Sequence, residues 1–91
     1  MNVKINKKNI ELKFTFRSMM MYENITGKTF APEGISDILT FMYCVVVASS
    51  NDFSLTFDDF INWLDGSQEK LAEFSGWLTD VIKTSDFLKK L

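Results

Sequence analysis

Few side chains in this chain could do chemistry, and their spacing decides against most of it. Cys44 is the lone cysteine and there is no histidine. A Ser-His-Asp or Cys-His nucleophile, a His-containing zinc site and an internal disulfide are thereby excluded. Cys44 lies within an apolar run with nothing nearby in sequence to generate a thiolate. It reads as a buried small hydrophobe of a reducing compartment. Asp58 and Asp59 are adjacent, a spacing that on a helix does not aim them at one site. They read as carboxylates favouring a helix N-terminus, not as an acid/base pair. With Asp52 they do not make calcium-loop spacing. Gly27-Lys28-Thr29 matches the end of a P-loop, but it lacks the upstream glycine and follows a helix where a strand is required.

Charge narrows the field again. Ten basic and twelve acidic residues leave a net charge of −2, with no basic stripe for nucleic acid. Lys7-Lys8 and Lys89-Lys90 stand at opposite ends of the chain, and neither pair is interleaved with aromatics as a single-strand binder requires. The expectation is a protein without cofactor, metal, nucleic acid or enzymatic activity.

The elements that position these residues follow from length and periodicity. Ninety-one residues, 46% hydrophobic and including nine Phe, describe one small core. No apolar stretch follows the N-terminal lysines as a targeting signal would need. The longest apolar run, Ile38 to Ala48, is far short of the roughly 20 residues that span a bilayer. The chain reads as soluble and cytoplasmic, with no membrane contact. Val3 and Ile5, then Ile10, Leu12, Phe14 and Phe16, alternate with polar residues, which predicts a hairpin over 3–16 turning at Asn6 to Asn9.

A helix is predicted over about 17–26, stopped by Gly27, and a loop runs from Lys28 to Gly34. Ser36 is the expected N-cap of a second helix reaching about residue 48, with Asp37 at its positive end. Val45-Val46-Val47 argues locally for strand, but the length and cap of the segment favour helix. Thr56 and Asp59 form a capping-box pattern for a third helix over 57–65. Gly66 ends it, and Ser67 caps a fourth over 68–84. Residues 85–91 are expected to be a frayed or separately docked tail, because Phe87 is out of phase with the apolar face. The fold class is α+β, mainly α: one domain over 1–84, a hairpin packed on about four helices.

Three features could serve a partner. The second helix is apolar in every direction, Phe41 and Met42 included, so it is either central in the domain or covered by a partner. In the first helix Met21, Tyr22 and Ile25 share a face expected to be core. Met19 and Met20 lie on the other side, where they either fill gaps under the hairpin or offer an adaptable binding face. Trp63 and Trp77 sit at the edges of their helices' apolar arcs, as half-buried core residues and interface anchors both do. Met19, Met20, Phe41, Met42, Trp63 and Trp77 are thus the partner-binding candidates.

The order of elements is familiar as a whole. A lysine-rich hairpin leads into Phe14-Thr15-Phe16-Arg17 and Tyr22-Glu23-Asn24-Ile25-Thr26-Gly27-Lys28-Thr29-Phe30. Ile35 to Ala48, Leu55-Thr56-Phe57-Asp58-Asp59-Phe60 and an acidic amphipathic helix follow. Over roughly residues 1–83 the chain resembles the tail assembly chaperones of long-tailed bacteriophages, most specifically in the Tyr22 to Phe30 stretch. The resemblance implies a non-enzymatic protein of the bacterial host's cytoplasm, not kept in the mature virion. Such a protein binds and solubilises the helical tape-measure protein and helps recruit tail-tube subunits. It carries over no site residue. Self-association is open, and a rival reading is a small adaptor with one defined partner. A helical DNA-binding repressor is disfavoured, since Arg17 is the sole arginine and the second and third helices hold no basic residue. Duplex DNA at physiological salt should therefore give no retarded band with this protein in a gel-shift titration; a clear shift would restore the repressor reading.

Overall fold

The computed structural model describes residues 1–50 and 54–84. The predicted class is what it shows: a two-stranded antiparallel hairpin followed by four helices. The tail expected at 85–91 lies outside the described residues.

The hairpin is short because its turn is tight. β1 (Asn2–Ile5) and β2 (Lys8–Glu11) pair from Asn2↔Glu11 to Ile5↔Lys8, leaving Asn6 and Lys7 as a two-residue turn. Both turn residues have positive φ, 51° and 67°, the signature of a type I′ turn, whose twist matches that of the strands. Val3, Ile5 and Ile10 point into the core, and their neighbours Asn2, Lys4, Asn9 and Glu11 face outward.

The predicted second strand runs too far. The alternation through Phe14 and Phe16 belongs to a connector and then a helix, because Thr15 caps the chain before a longer strand can pair. Its hydroxyl accepts the Ser18 N–H at 3.1 Å, while the Ser18 hydroxyl accepts the Thr15 N–H at 3.3 Å. This capping box starts α1 at Phe16 (Phe16–Thr26). Gly27, at φ 69°, closes the helix and donates to the Glu23 carbonyl at 2.8 Å.

The apolar face of α1 is also turned from the expected one. Ser18, Met19 and Tyr22 are buried, Met21 is half-buried, and Ile25 is 54% exposed. Hydropathy misplaces the stripe because a serine lies at its centre. Ser18 is fully buried yet satisfied locally, its hydroxyl donating to the Thr15 carbonyl at 2.6 Å.

α2 (Gly34–Ser50) starts two residues before the expected cap. Ser36 lies inside the first turn, where its carbonyl accepts the Thr40 hydroxyl at 2.8 Å. The Asp37 carboxylate reaches back to the Glu33 N–H at 3.2 Å and thereby holds the helix start. At the other end the Ser49 hydroxyl accepts the Lys13 N–H at 2.9 Å and donates to its carbonyl at 3.3 Å. That reciprocal pair pins the β2–α1 connector. Val45 to Val47 are helical and buried, so tertiary burial overrides their strand preference.

α3 (Phe57–Asp65) has the expected capping box, with the Asp59 N–H donating to the Thr56 hydroxyl at 3.0 Å. α4 (Gln68–Thr84) packs chiefly on α3, whereas α2 touches α1, β2 and α3. The core thus surrounds α2. Phe14, Tyr22, Phe30 and Phe41 form an aromatic cluster on one flank, with Phe30 and Phe41 centroids 4.7 Å apart. Tyr43, Phe57, Phe60 and Phe74 form a second toward α3 and α4.

Left-handed geometry at Lys7 costs a non-glycine residue about 1–2 kcal/mol. Lys7→Gly should accordingly raise stability by about 0.5–1 kcal/mol, seen as a thermal midpoint several degrees higher. Thr15→Ala should lower stability by about 1 kcal/mol through loss of the cap.

Candidate functional site

The motif that carries the resemblance turns out to be a local closure device. Thr26 donates its hydroxyl to the Tyr22 carbonyl at 2.8 Å and accepts the Lys28 N–H at 3.2 Å. The Glu23 carboxylate accepts the Phe30 N–H at 2.7 Å, and the Lys28 ammonium meets Asp37 at 3.2 Å. Tyr22 and Phe30 pack edge to face at 5.7 Å. From Tyr22 to Phe30 the residues end α1, turn the chain and seat it on α2.

The electrostatics fit that role. The Glu33 N–H and then the Lys28 ammonium hold the Asp37 carboxyl below its ordinary value. The Tyr22 hydroxyl is enclosed without a hydrogen-bond partner, and burial, then the Asp37 charge, push its phenol up. Burial pushes the Cys44 thiol up to about 11, so it is no nucleophile near neutral pH. Among the described residues no group of His, Cys, Asp or Glu could hold a metal ion, and no helix is long and apolar enough to cross a membrane.

The six partner candidates do not form one surface. Met19, Phe41 and Met42 are buried in the domain's own core. The hairpin and the neighbouring helices supply the cover that the wheel left open. Trp63 ties α3 to β1: its indole N–H donates to the Lys4 carbonyl at 2.9 Å, and the Lys70 ammonium stands 5.0 Å from the ring centroid. Trp77 is half-buried edge to face on Phe74 at 6.0 Å. Met20 alone is well exposed, at 62%, on an outward face of α1 shared with Phe16. Beside it Arg17, Met21 and Asn24 line a shallow concavity.

A different place offers apolar surface in concave form. Between the α1–α2 loop, the N-terminal half of α2 and α4 lies a groove of about 530 Å³. Phe30, Pro32 and Ile38 form one wall, Leu78 and Ile82 line α4, and Phe41 also borders it. Ser75 and Thr79 open the α4 side. Ile35, three residues before Ile38 in α2, is 64% exposed. The groove exists because α4 leans on α3 and does not close over the start of α2. Sequence reading missed it: Leu78 and Ile82 share one apolar arc of α4 at helical spacing, as core residues do, and Ile38 is one apolar residue among many. The available signal is that α2 is apolar all round, so any element failing to cover it leaves a groove.

Two measurements separate core from surface here. Phe41→Ala should cost about 3–5 kcal/mol and Met42→Ala about 2–5 kcal/mol in denaturant unfolding, while Met20→Ala should stay within about 0.5 kcal/mol. The Asp37 contribution is present above the ordinary aspartate value of 3.8 and is lost as pH falls through the lowered folded value. Asp37→Asn should therefore melt below the parent at neutral pH, and the two melting temperatures should converge on acidification. No family model, no curated protein and no solved structure matches this chain, so the reading of the groove rests on the residues that line it.

Proposed function

We propose that this protein is a tail assembly chaperone of a long-tailed bacteriophage. In this reading it works in the cytoplasm of the bacterial host, binds the tape-measure protein, keeps it soluble and helps recruit tail-tube subunits. The observation that carries the reading is the apolar groove beside the start of α2, bordered by the exposed Ile38. A tape-measure protein is long, helical and apolar. A groove walled by helices accepts the apolar face of such a helix through residues spaced i, i+3, i+4 and i+7. The order of elements and the Tyr22 to Phe30 stretch supply the second support.

The mechanism needs no nucleotide or metal. Apolar side chains of the client enter the groove, water leaves, and the gain is about 25 cal/mol for each Å² of apolar surface removed from water. Tube subunits that cover the same client surface displace the chaperone by competition.

Co-expression with a tape-measure protein tests this directly. The soluble fraction of the tape-measure protein should rise several-fold with the parent chain and fall back with Ile38→Asp. That variant places a carboxylate in the groove but near the positive end of α2, where the helix dipole favours it, so circular dichroism should be unchanged. A tape-measure protein equally insoluble with and without the parent chain refutes the proposal.

A further inference from the structure

We infer that the groove has an occupant within its own chain: the segment Ser85 to Leu91 folds back along α4 and lays Phe87, Leu88 and Leu91 against Ile38, Leu78 and Ile82. The segment then competes with a client for the same seat. That competition rests on the chaperone reading; the contact itself does not.

The first observation is the phase of the apolar residues that follow α4. The described part of the helix ends at Thr84, and Ser-Asp-Phe-Leu-Lys-Lys-Leu follows in the sequence. On a continued helix, at about 100° per residue, Phe87, Leu88 and Leu91 would each stand more than about 100° from Ile82. That is the arc on which Glu73 and Asp80 are exposed. Three large apolar side chains within seven residues would join the polar face of α4. A reversal at Ser85 and Asp86, both turn-forming residue types, brings them to the opposite side.

The second observation is what lies within reach of such a reversal. Ile82 borders the groove only two residues before Thr84. From Ile82 back to Ser75 the groove follows α4 for about 10 Å, at 1.5 Å per residue. Seven extended residues span about 23 Å; with two of them in the turn, the other five still reach about 16 Å. The segment therefore covers the length of the groove. Among the described residues that border it only Ser75 and Thr79 are polar, and its volume of about 530 Å³ is that of a site for several apolar groups.

Tethering makes a weak contact sufficient. A segment joined by so short a link acts at an effective concentration of about millimolar. It hides apolar surface that would otherwise drive non-specific association. A client helix must displace it, so the client's apparent affinity falls by the fraction of time the groove is open.

The test uses the full chain. In methyl-resolved NMR spectra, Ile38 and Ile82 should show nuclear Overhauser contacts to the Phe87 ring. A mixture of labelled and unlabelled chains should show that these contacts arise within one molecule. The dye bis-ANS, which binds exposed apolar surface, should fluoresce several-fold more with the double variant Phe87→Asp/Leu91→Asp than with the parent. Lys89→Ala should stay at the parent level, and circular dichroism of all three chains should agree. A helical peptide from the tape-measure protein should bind the double variant about fivefold or more tighter in fluorescence anisotropy; equal affinity overturns the competition. Contacts from Phe87 to neither isoleucine, contacts only between molecules, or a dye signal unchanged in the double variant overturns the inference. The NMR contacts are read on the parent chain, so they decide the matter even where a variant fails to fold. Co-expression keeps the two proposals apart. Tape-measure solubility raised by a chain that lacks these contacts removes the folded-back segment alone. Contacts present in a chain without any effect on the tape-measure protein remove the chaperone reading alone.

Discussion

Everything in this fold depends on covering one helix. α2 carries Phe41, Met42, Cys44 and Val45 to Val47 in the core, with little polar face for solvent over its C-terminal half. Its burial is worth more than any other element's, since each large apolar side chain contributes about 1.5–3 kcal/mol when fully enclosed. The hairpin, α1 and α3 each lay an apolar face against it, and each is too short to be stable alone. Where cover is complete, the molecule is core. Where it stops, beside Ile38, a groove remains.

The local devices serve the same constraint. The Thr15–Ser18 box sets where α1 starts, and Gly27 with Thr26 sets where it ends. Between them Ser18 passes into the core at no cost in unsatisfied polarity, because its hydroxyl is already spent on Thr15. Glu23 and Asp37 then hold the loop so that Phe30 can reach Phe41. A motif that would catch the eye as a ligand site is consumed in making this turn. Thr26 and Glu23 bond to the backbone and Lys28 pairs with Asp37, while the groove beside them is lined mainly by apolar side chains.

Much of the fold is legible in the residues. The period-two alternation at Val3 and Ile5 marks the first strand. Gly27, Thr56, Asp59 and Gly66 mark helix ends within a residue or so, because a cap is a short-range interaction that one side chain can specify. The misreadings share a cause. Phe14 and Phe16 continue an alternation that no partner strand pairs, and Ser36 resembles a cap that Asp37 supplies from inside the helix. Ser18 hides the true face of α1 from any reading based on hydropathy. In each case a polar group placed by one hydrogen bond outweighs a pattern summed over several residues.

The candidate site divides in the same way. By itself the sequence determined that the chain has no histidine, one unactivated cysteine and more apolar surface than obvious cover for it. Those are properties of composition and local order, and folding does not alter them. Only the tertiary structure decided which apolar residues that surplus leaves outside. Met19, Phe41 and Met42 went inward, and the edge of α2 at Ile35 and Ile38 stayed open, because α4 rests on α3. Which face of an all-apolar helix remains uncovered depends on where distant elements dock, and no periodicity along the helix itself encodes that.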